Sequence, residues 1–168
     1  MSTACAAWMA ELEVEARATA RLLDAVPEDR LAWRPHPKSH SLGQLALHVA
    51  SLCGGVANLL ANDTVDAGAV DFAAPEARSV AELRTQLELS LRTAREQLAK
   101  WSSADLEREW RLTNHERTLM AAPRGVMARS LLLNHLYHHR GQLTVYLRLL
   151  DRPVPSTYGP SADVNPLA

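Results

Sequence analysis

The sequence predicts an all-α protein in which four long helices form a four-helix bundle. Three observations predict this class. Four long segments repeat apolar side chains every three or four positions, which is the period of an amphipathic helix. Two of these segments open with a serine followed three residues later by Gln or Glu, the pattern of a capping box. Prolines follow the first and fourth segments closely, and proline cannot continue a helix.

The first two helices are bounded by clear stop and start signals. The first runs from about Thr3 to about Val26, and Pro27 stops it. A proline-rich link follows. The second helix opens at Ser41, which forms a capping box with Gln44, and it continues to about Ala61. Its apolar stripe predicts that one side of this helix lies in the core.

The third helix starts at a second capping box, formed by Ser79 and Glu82, and ends near Trp101. The stretch 105–122 lacks a helical period. Two short apolar runs there flank a polar Thr-Asn-His-Glu stretch, so both a short hairpin and an irregular crossover fit this segment.

The fourth helix begins around Pro123, because proline is tolerated in a first turn, and it runs to about Leu150. Pro153 and Pro155 forbid its continuation. The tail 156–161 is therefore expected to be a non-helical wrap on the surface of the bundle.

Length and composition favour one domain over residues 1–168, with 47% hydrophobic residues available for its core. A net charge of −1 and a sequence pI near 6.7 argue against a nucleic-acid partner. No uninterrupted apolar stretch reaches the ~18–20 residues of a membrane span. The N-terminus lacks signal-peptide features, and Cys5 and Cys53 form no CxxC pair. We therefore expect a cytoplasmic protein with no membrane partner.

Three histidines carry the chemical signal of the sequence. His135 and His139 lie four residues apart, and residues with this spacing share one face of a helix. His48 lies within the apolar stripe of the second helix. Three imidazoles that meet in the interior would hold one divalent ion and leave a coordination position open, which is typical of catalytic metal sites. A core histidine bonded to a carbonyl or carboxylate is the alternative for any one of them.

The neighbouring His138 offers a second pairing with His135. Since a helix turns about 100° per residue, His135 and His139 fall beside the leucine stripe of the fourth helix, whereas His138 projects away from it. We therefore predict His48, His135 and His139 as the ligands. The remaining histidines fall in loops and are expected to be solvated: His36, His40 and His115.

Three further side chains are candidates for a second shell around the ligands. Gln142 and Tyr146 follow the two histidines on the same helical face, where they could hold the second nitrogen of a ligand ring. Glu15 interrupts the inner stripe of the first helix. It either orients a ligand or lies as a carboxylate at the rim of the bundle, and the rim position is slightly favoured.

Three segments of this chain resemble the DinB-like (DinB/YfiT) family of metalloenzymes: residues 33–48, residues 134–142 and the tail 153–161. The resemblance implies a four-helix bundle with a long crossover, often assembled as a homodimer. It also implies a divalent metal ion held by His48, His135 and His139, with zinc, nickel, iron and manganese all possible. Apolar positions left over on the fourth helix suit a dimer interface: Leu131, Val145 and Leu149.

Characterised members of that family include thiol-dependent S-transferases and a mycothiol-dependent isomerase. The resemblance therefore implies a metal-dependent enzyme acting on a small molecule, either as a transferase that uses a low-molecular-weight thiol or as a hydrolase. In both cases the ion would lower the pKa of a bound thiol or water. The alternative is a non-catalytic, metal-stabilised binding or dimerisation module of a stress response.

Overall fold

The computed structural model describes residues 1–165. The fold is mostly helical, and residues 1–165 contain six α-helices. They are α1 (Thr3–Asp24), α2 (Leu42–Leu60), α3 (Val80–Leu98), α4 (Ser103–Glu107), α5 (Arg124–Met127) and α6 (His135–Leu149). A π-helical segment, Ala128–Asn134, joins α5 to α6, so that the predicted fourth helix is a single run in three parts.

Helix starts follow the predicted capping residues. Ser41 and Gln44 form the complete capping box at the start of α2, each side chain accepting a hydrogen bond from the other residue's amide. At the start of α3 the Ser79 side chain accepts from the Glu82 amide, whereas Glu82 itself accepts from the amide of Arg78. Each cap satisfies donors that a helix N-terminus leaves unpaired.

The prediction of an all-α chain is wrong, because the structure also contains a small three-stranded sheet. Its strands are β1 (Thr64–Asp66), β2 (Glu109–Asn114) and β3 (Arg117–Pro123). Strand β2 lies in the middle, parallel to β1 and antiparallel to β3. Of the two possibilities for the stretch 105–122, the hairpin is the one observed.

The physical reason for the hairpin lies in the alternation around Trp110. Its side chain is only 2% exposed, whereas Glu109 and Arg111 are exposed, which is the period-two pattern of a half-buried strand. The indole Nε1 of Trp110 donates a hydrogen bond to the carbonyl oxygen of Leu59 on α2. This contact attaches the hairpin to the C-terminal turn of α2.

Helices α2 and α3 approach each other closely at Gly54. A Cβ atom there would lie 2.8 Å from the Cα of Ser90, and the Gly54 amide donates to Ser90 Oγ at 2.8 Å. The adjacent Gly55 is different, since a Cβ there would meet nothing within 4 Å. The backbones of α2 and α3 are therefore in contact at Gly54, whereas Gly55 faces open space.

Helix α2 is the one described helix that is long and apolar enough to span a membrane on length and composition alone. Its mean hydropathy is 1.3, and 61% of that stretch is buried inside the fold. A core helix meets the same criteria. The polar residues His48, Ser51 and Asn58 interrupt its apolar sequence.

Candidate metal centre

The three predicted histidines come together at one place between α2 and α6. His48 extends from α2, and His135 and His139 extend from the first two turns of α6. Their ring centroids are 5.2 Å apart for His48 and His135, 4.4 Å for His48 and His139, and 4.6 Å for His135 and His139. One nitrogen from each ring lies within 4.8 Å of the other two.

The geometry of the two α6 histidines follows from their i,i+4 spacing. Nε2 of His135 lies 2.8 Å from Nε2 of His139, so both rings turn the same nitrogen toward one point. Both side chains are half-buried. Within residues 1–165, no Asp, Glu or Cys joins this group of three. Three neutral donors without a fourth protein ligand match the donor set of an open metal site.

Burial keeps the three rings neutral, as metal ligation requires. Desolvation, and then the charges of His139, His135 and His40, lowers the pKa of His48 to about 4. The pKa of His135 is lowered by desolvation, an effect that the Leu131 carbonyl opposes. The pKa of His139 is also lowered by desolvation, against the opposing effect of the hydrogen bond that its ring donates to Gln142. Each ring therefore offers a nitrogen lone pair at neutral pH.

Gln142 lies where a supporting residue is expected. Its Oε1 is 2.7 Å from Nδ1 of His139, and an amide oxygen can only accept. This contact assigns the proton of His139 to Nδ1 and leaves its Nε2 free as a lone-pair donor. Histidine ligands in metal sites commonly have this kind of partner on the second nitrogen.

The π-helical segment changes the backbone beside His135. The amide of His135 donates to the carbonyl of Ser130, five residues earlier, instead of to that of Leu131, four residues earlier. Nδ1 of His135 is buried and has no hydrogen-bond partner of normal geometry. The Leu131 carbonyl is the backbone acceptor that acts on this ring. No sequence signal predicts this feature, because it is a property of the backbone.

Tyr146 and Glu15 have other partners. The Tyr146 hydroxyl donates to the carbonyl of His40 at 3.1 Å, and its ring packs edge-on against Trp33. The carboxylate of Glu15 is buried and forms an ion pair with Arg140 at 2.5 Å. Neither expectation for Glu15 agrees with this position, since the carboxylate neither reaches the histidines nor lies at the rim. The reason is Arg140, a buried cation that needs a buried anion.

The other histidines lie outside the cluster. The exposed ring of His138 has its centroid 4.8 Å from that of His139, yet it is not one of the three converging donors. His40 is exposed, but it lies close enough for its charge to contribute to the lowered pKa of His48. His36 and His115 are exposed in loops, as predicted.

Comparison with known proteins identifies a similar sequence and several similar solved structures. The uncharacterized protein YrdA of Bacillus subtilis (strain 168) is 27% identical over 152 residues, which cover 90% of this chain and 86% of that protein. A proposed DinB family member from Exiguobacterium sibiricum 255-15 superimposes with a TM-score of 0.68 at 24% identity, covering 93% of this chain and 97% of that one.

A DinB-like protein from Bacillus cereus ATCC 10987 superimposes with a TM-score of 0.65 at 22% identity, covering 88% of this chain and 93% of that one. A DinB-like protein from Bacillus subtilis gives 0.67 at 16% identity, covering 89% and 95%. These structures share the fold. The model of the DinB family matches residues 1–164. The chain therefore belongs to the DinB family.

Proposed function

We propose that this protein binds one divalent metal ion through His48, His135 and His139 and uses it in catalysis. The observation that carries the proposal is the convergence of three neutral imidazole nitrogens within 4.8 Å of one another. A structural site would be expected to have four protein ligands. This cluster has three among the described residues, so one position would stay open to a small molecule. The four long helices serve as the bundle that holds these side chains.

The donor set bears on the identity of the ion. Imidazole suits zinc, iron and nickel, whereas manganese prefers oxygen donors and fits this cluster less well. When bound, such an ion supplies a Lewis acid that lowers the pKa of a thiol or water at its open position. The side chains of this chain hold and orient it: Gln142 fixes the tautomer of His139, and burial keeps His48 neutral.

The reaction proposed is S-transfer, in which a low-molecular-weight thiol attacks an electrophilic carbon of the substrate. Hydrolysis is the second possibility. The state of the protein's own thiols supports an external nucleophile. Cys5 and Cys53 are both buried, and desolvation raises the pKa of Cys53 to about 12. A thiol with that pKa carries almost no thiolate at neutral pH. Sulfur chemistry at this site would therefore use a thiol that arrives as a cosubstrate.

We also propose a cytoplasmic homodimer with no nucleic-acid or membrane partner. The reduced cysteines and the near-neutral charge support the compartment and the lack of a nucleic-acid partner. Val145 and Leu149 support an interface, because they lie four residues apart on α6 and are 56% and 57% exposed. Leu131, the third residue expected there, instead lines a cavity beside His135.

The enzymatic part of the proposal is tested by assaying zinc-, iron- and nickel-loaded protein. One assay follows consumption of low-molecular-weight thiols in the presence of an alkylating electrophile, and a second follows hydrolysis of an activated ester. Turnover that disappears in His48→Ala and persists in His138→Ala supports the enzyme. Metal binding without turnover in either assay supports the alternative, a metal-stabilised binding module, and chelation should then lower its thermal stability.

A further inference from the structure

Two cavities meet at the histidine cluster. The larger, the α2–α3 cleft, has a volume of about 490 Å³ and is bounded by α2, α3 and the segment 70–73; His48 lies in its wall. The smaller, the hairpin pocket, has a volume of about 150 Å³ and lies between α2, the β2–β3 hairpin and the π-helical segment; His135 lies in its wall. Both cavities share the side chains of Val56, Leu59 and Phe72.

The lining of the α2–α3 cleft offers hydrogen bonds without a fixed positive charge. Neutral polar side chains from both helices line it: Ser51, Asn58, Gln86, Ser90 and Thr93. Among the described lining residues, none is Lys or Arg, and the ionisable ones are His48 and Asp71. Asp71 already accepts a hydrogen bond from the amide of Ala73. A carboxylate or phosphate bound here would therefore find no cationic side chain to pair with.

The hairpin pocket is lined by apolar side chains apart from His135 and the indole of Trp110. An apolar cavity of about 150 Å³ is large enough for a benzene ring. Phe72, the only phenylalanine in the chain, stands between the two cavities and is 61% exposed. Leu89, in the wall of the cleft, is 43% exposed. Exposed apolar side chains around a concave surface mark ligand-binding grooves.

We propose that the α2–α3 cleft and the hairpin pocket together bind an uncharged small molecule with an apolar body, and present it to the three histidines. The inference rests on the proposed function in that it names the substrate class of the same site. The apolar body enters the hairpin pocket beside His135, and polar groups of the molecule meet the neutral side chains of the cleft. In a thiol transfer this molecule is the electrophile, because the cleft offers no Lys or Arg side chain for the carboxylates of a peptide-like thiol.

The inference is tested with three probes that share a phenyl ring: benzamide, benzenesulfonate and benzyltrimethylammonium. Binding to the zinc-loaded, full-length protein is followed by amide chemical shifts in NMR spectra. We expect benzamide to shift the amides of Gly55, Phe72 and Thr93, and to bind at least ten-fold more tightly than either charged probe. Neither charged probe coordinates zinc strongly. The difference in affinity between benzamide and these probes therefore reports how well the cleft accepts a charged ligand.

Gly55→Leu fills the cleft without a backbone clash, since a Cβ at Gly55 meets nothing within 4 Å. Gly141→Leu is the matched control, because Gly141 is equally unobstructed and lies on the surface of α6. We expect Gly55→Leu to lose benzamide affinity at least ten-fold and Gly141→Leu to retain it, with equal zinc content in both. Phe72→Ala, which removes a wall common to both cavities, gives a second variant with at least a three-fold loss.

Benzamide binding that survives both Gly55→Leu and Phe72→Ala, or shifts that map elsewhere, would overturn the inference. So would binding of either charged probe, benzenesulfonate or benzyltrimethylammonium, as tightly as benzamide. Zinc binding without benzamide binding overturns this inference and leaves the proposed metal function standing. Benzamide binding in the cleft without zinc binding leaves the cleft standing as a binding site and overturns the proposed metal function.

Discussion

Nε2 of His135 lies 2.8 Å from Nε2 of His139, at the point where the ring of His48 also arrives. Without an ion, a hydrogen bond between these two nitrogens requires one of them to carry a proton. With an ion, both must offer a lone pair. Metal and proton therefore compete for the same atoms, and the burial that lowers the pKa values of these rings favours the metal.

The stability of the metal-free protein should depend on pH through His48. Its pKa is about 4 in the folded protein, against 6.5 for an unperturbed histidine. Between these values the unfolded chain binds more protons, so the free energy of unfolding should fall as pH drops from 6.5 to about 4. Urea denaturation at several pH values measures this. His48→Gln should reduce the slope to the part that the lowered pKa values of His135 and His139 contribute, and His36→Gln should preserve it. A slope unaltered by His48→Gln would contradict the assignment.

Gln142 should support the metal without contributing to the fold. Its side chain is exposed, and the contact shown for it is with Nδ1 of His139. Gln142→Leu should weaken metal affinity about 10- to 100-fold, as loss of such a partner does elsewhere, and should leave urea unfolding of the metal-free protein almost unchanged. Competition with a chromogenic chelator gives the affinity. Gln97→Leu on α3 is the control, and equal affinities for the two variants would exclude a supporting role.

The ion pair of Arg140 and Glu15 should stabilise the fold and should take no part in metal binding. Both side chains are buried, and the Tyr158 hydroxyl donates to the Glu15 carboxylate at 3.0 Å. Arg140→Met alone should cost about 3–5 kcal/mol, because it leaves a buried carboxylate unpaired. The double variant Arg140→Met with Glu15→Leu should recover much of that loss. Chemical denaturation measures both. A double variant no more stable than the single one would contradict this account.

The two adjacent glycines of α2 should respond in opposite directions to alanine. Gly54→Ala should destabilise the fold by about 1–3 kcal/mol, since the added Cβ meets the backbone of Ser90. Gly55→Ala should stabilise it by up to about 1 kcal/mol, because it removes a helical glycine and meets no obstacle. Thermal or urea unfolding compares them. Equal effects would show that the close approach of α2 and α3 is not rigid.

Local patterns explain what could be predicted from the sequence. Capping residues such as Ser41, apolar periodicity and prolines locate the long helices to within a few residues. The i,i+4 spacing and the two apolar stripes bring His48 close to His135 and His139. Each of these signals depends on neighbours within one or two turns, or on which face of a helix is apolar.

What could not be predicted depends on contacts between distant segments. Strand β1 is three residues long and pairs with β2 far along the chain. The buried position of Arg140 contradicts the usual exposure of arginine and is explained by its partners on α1, the Glu15 carboxylate and the Thr19 hydroxyl, and by Tyr158 in the tail. The π-helical shift at His135 has no sequence signature. Phe72 is noticeable in the sequence because it is the single phenylalanine of the chain and lies in a linker. Its position in the sequence alone does not reveal which cavity it lines.

Elemental analysis of the protein, purified without added metal and then after equilibration with zinc, tests the central claim most directly. The account predicts about one divalent ion per chain in the wild type. It predicts less than a tenth of that in each of His48→Ala, His135→Ala and His139→Ala, and full occupancy in His138→Ala. Absence of metal from the wild type under both conditions, or retention of a full ion by any of the three ligand variants, would contradict it.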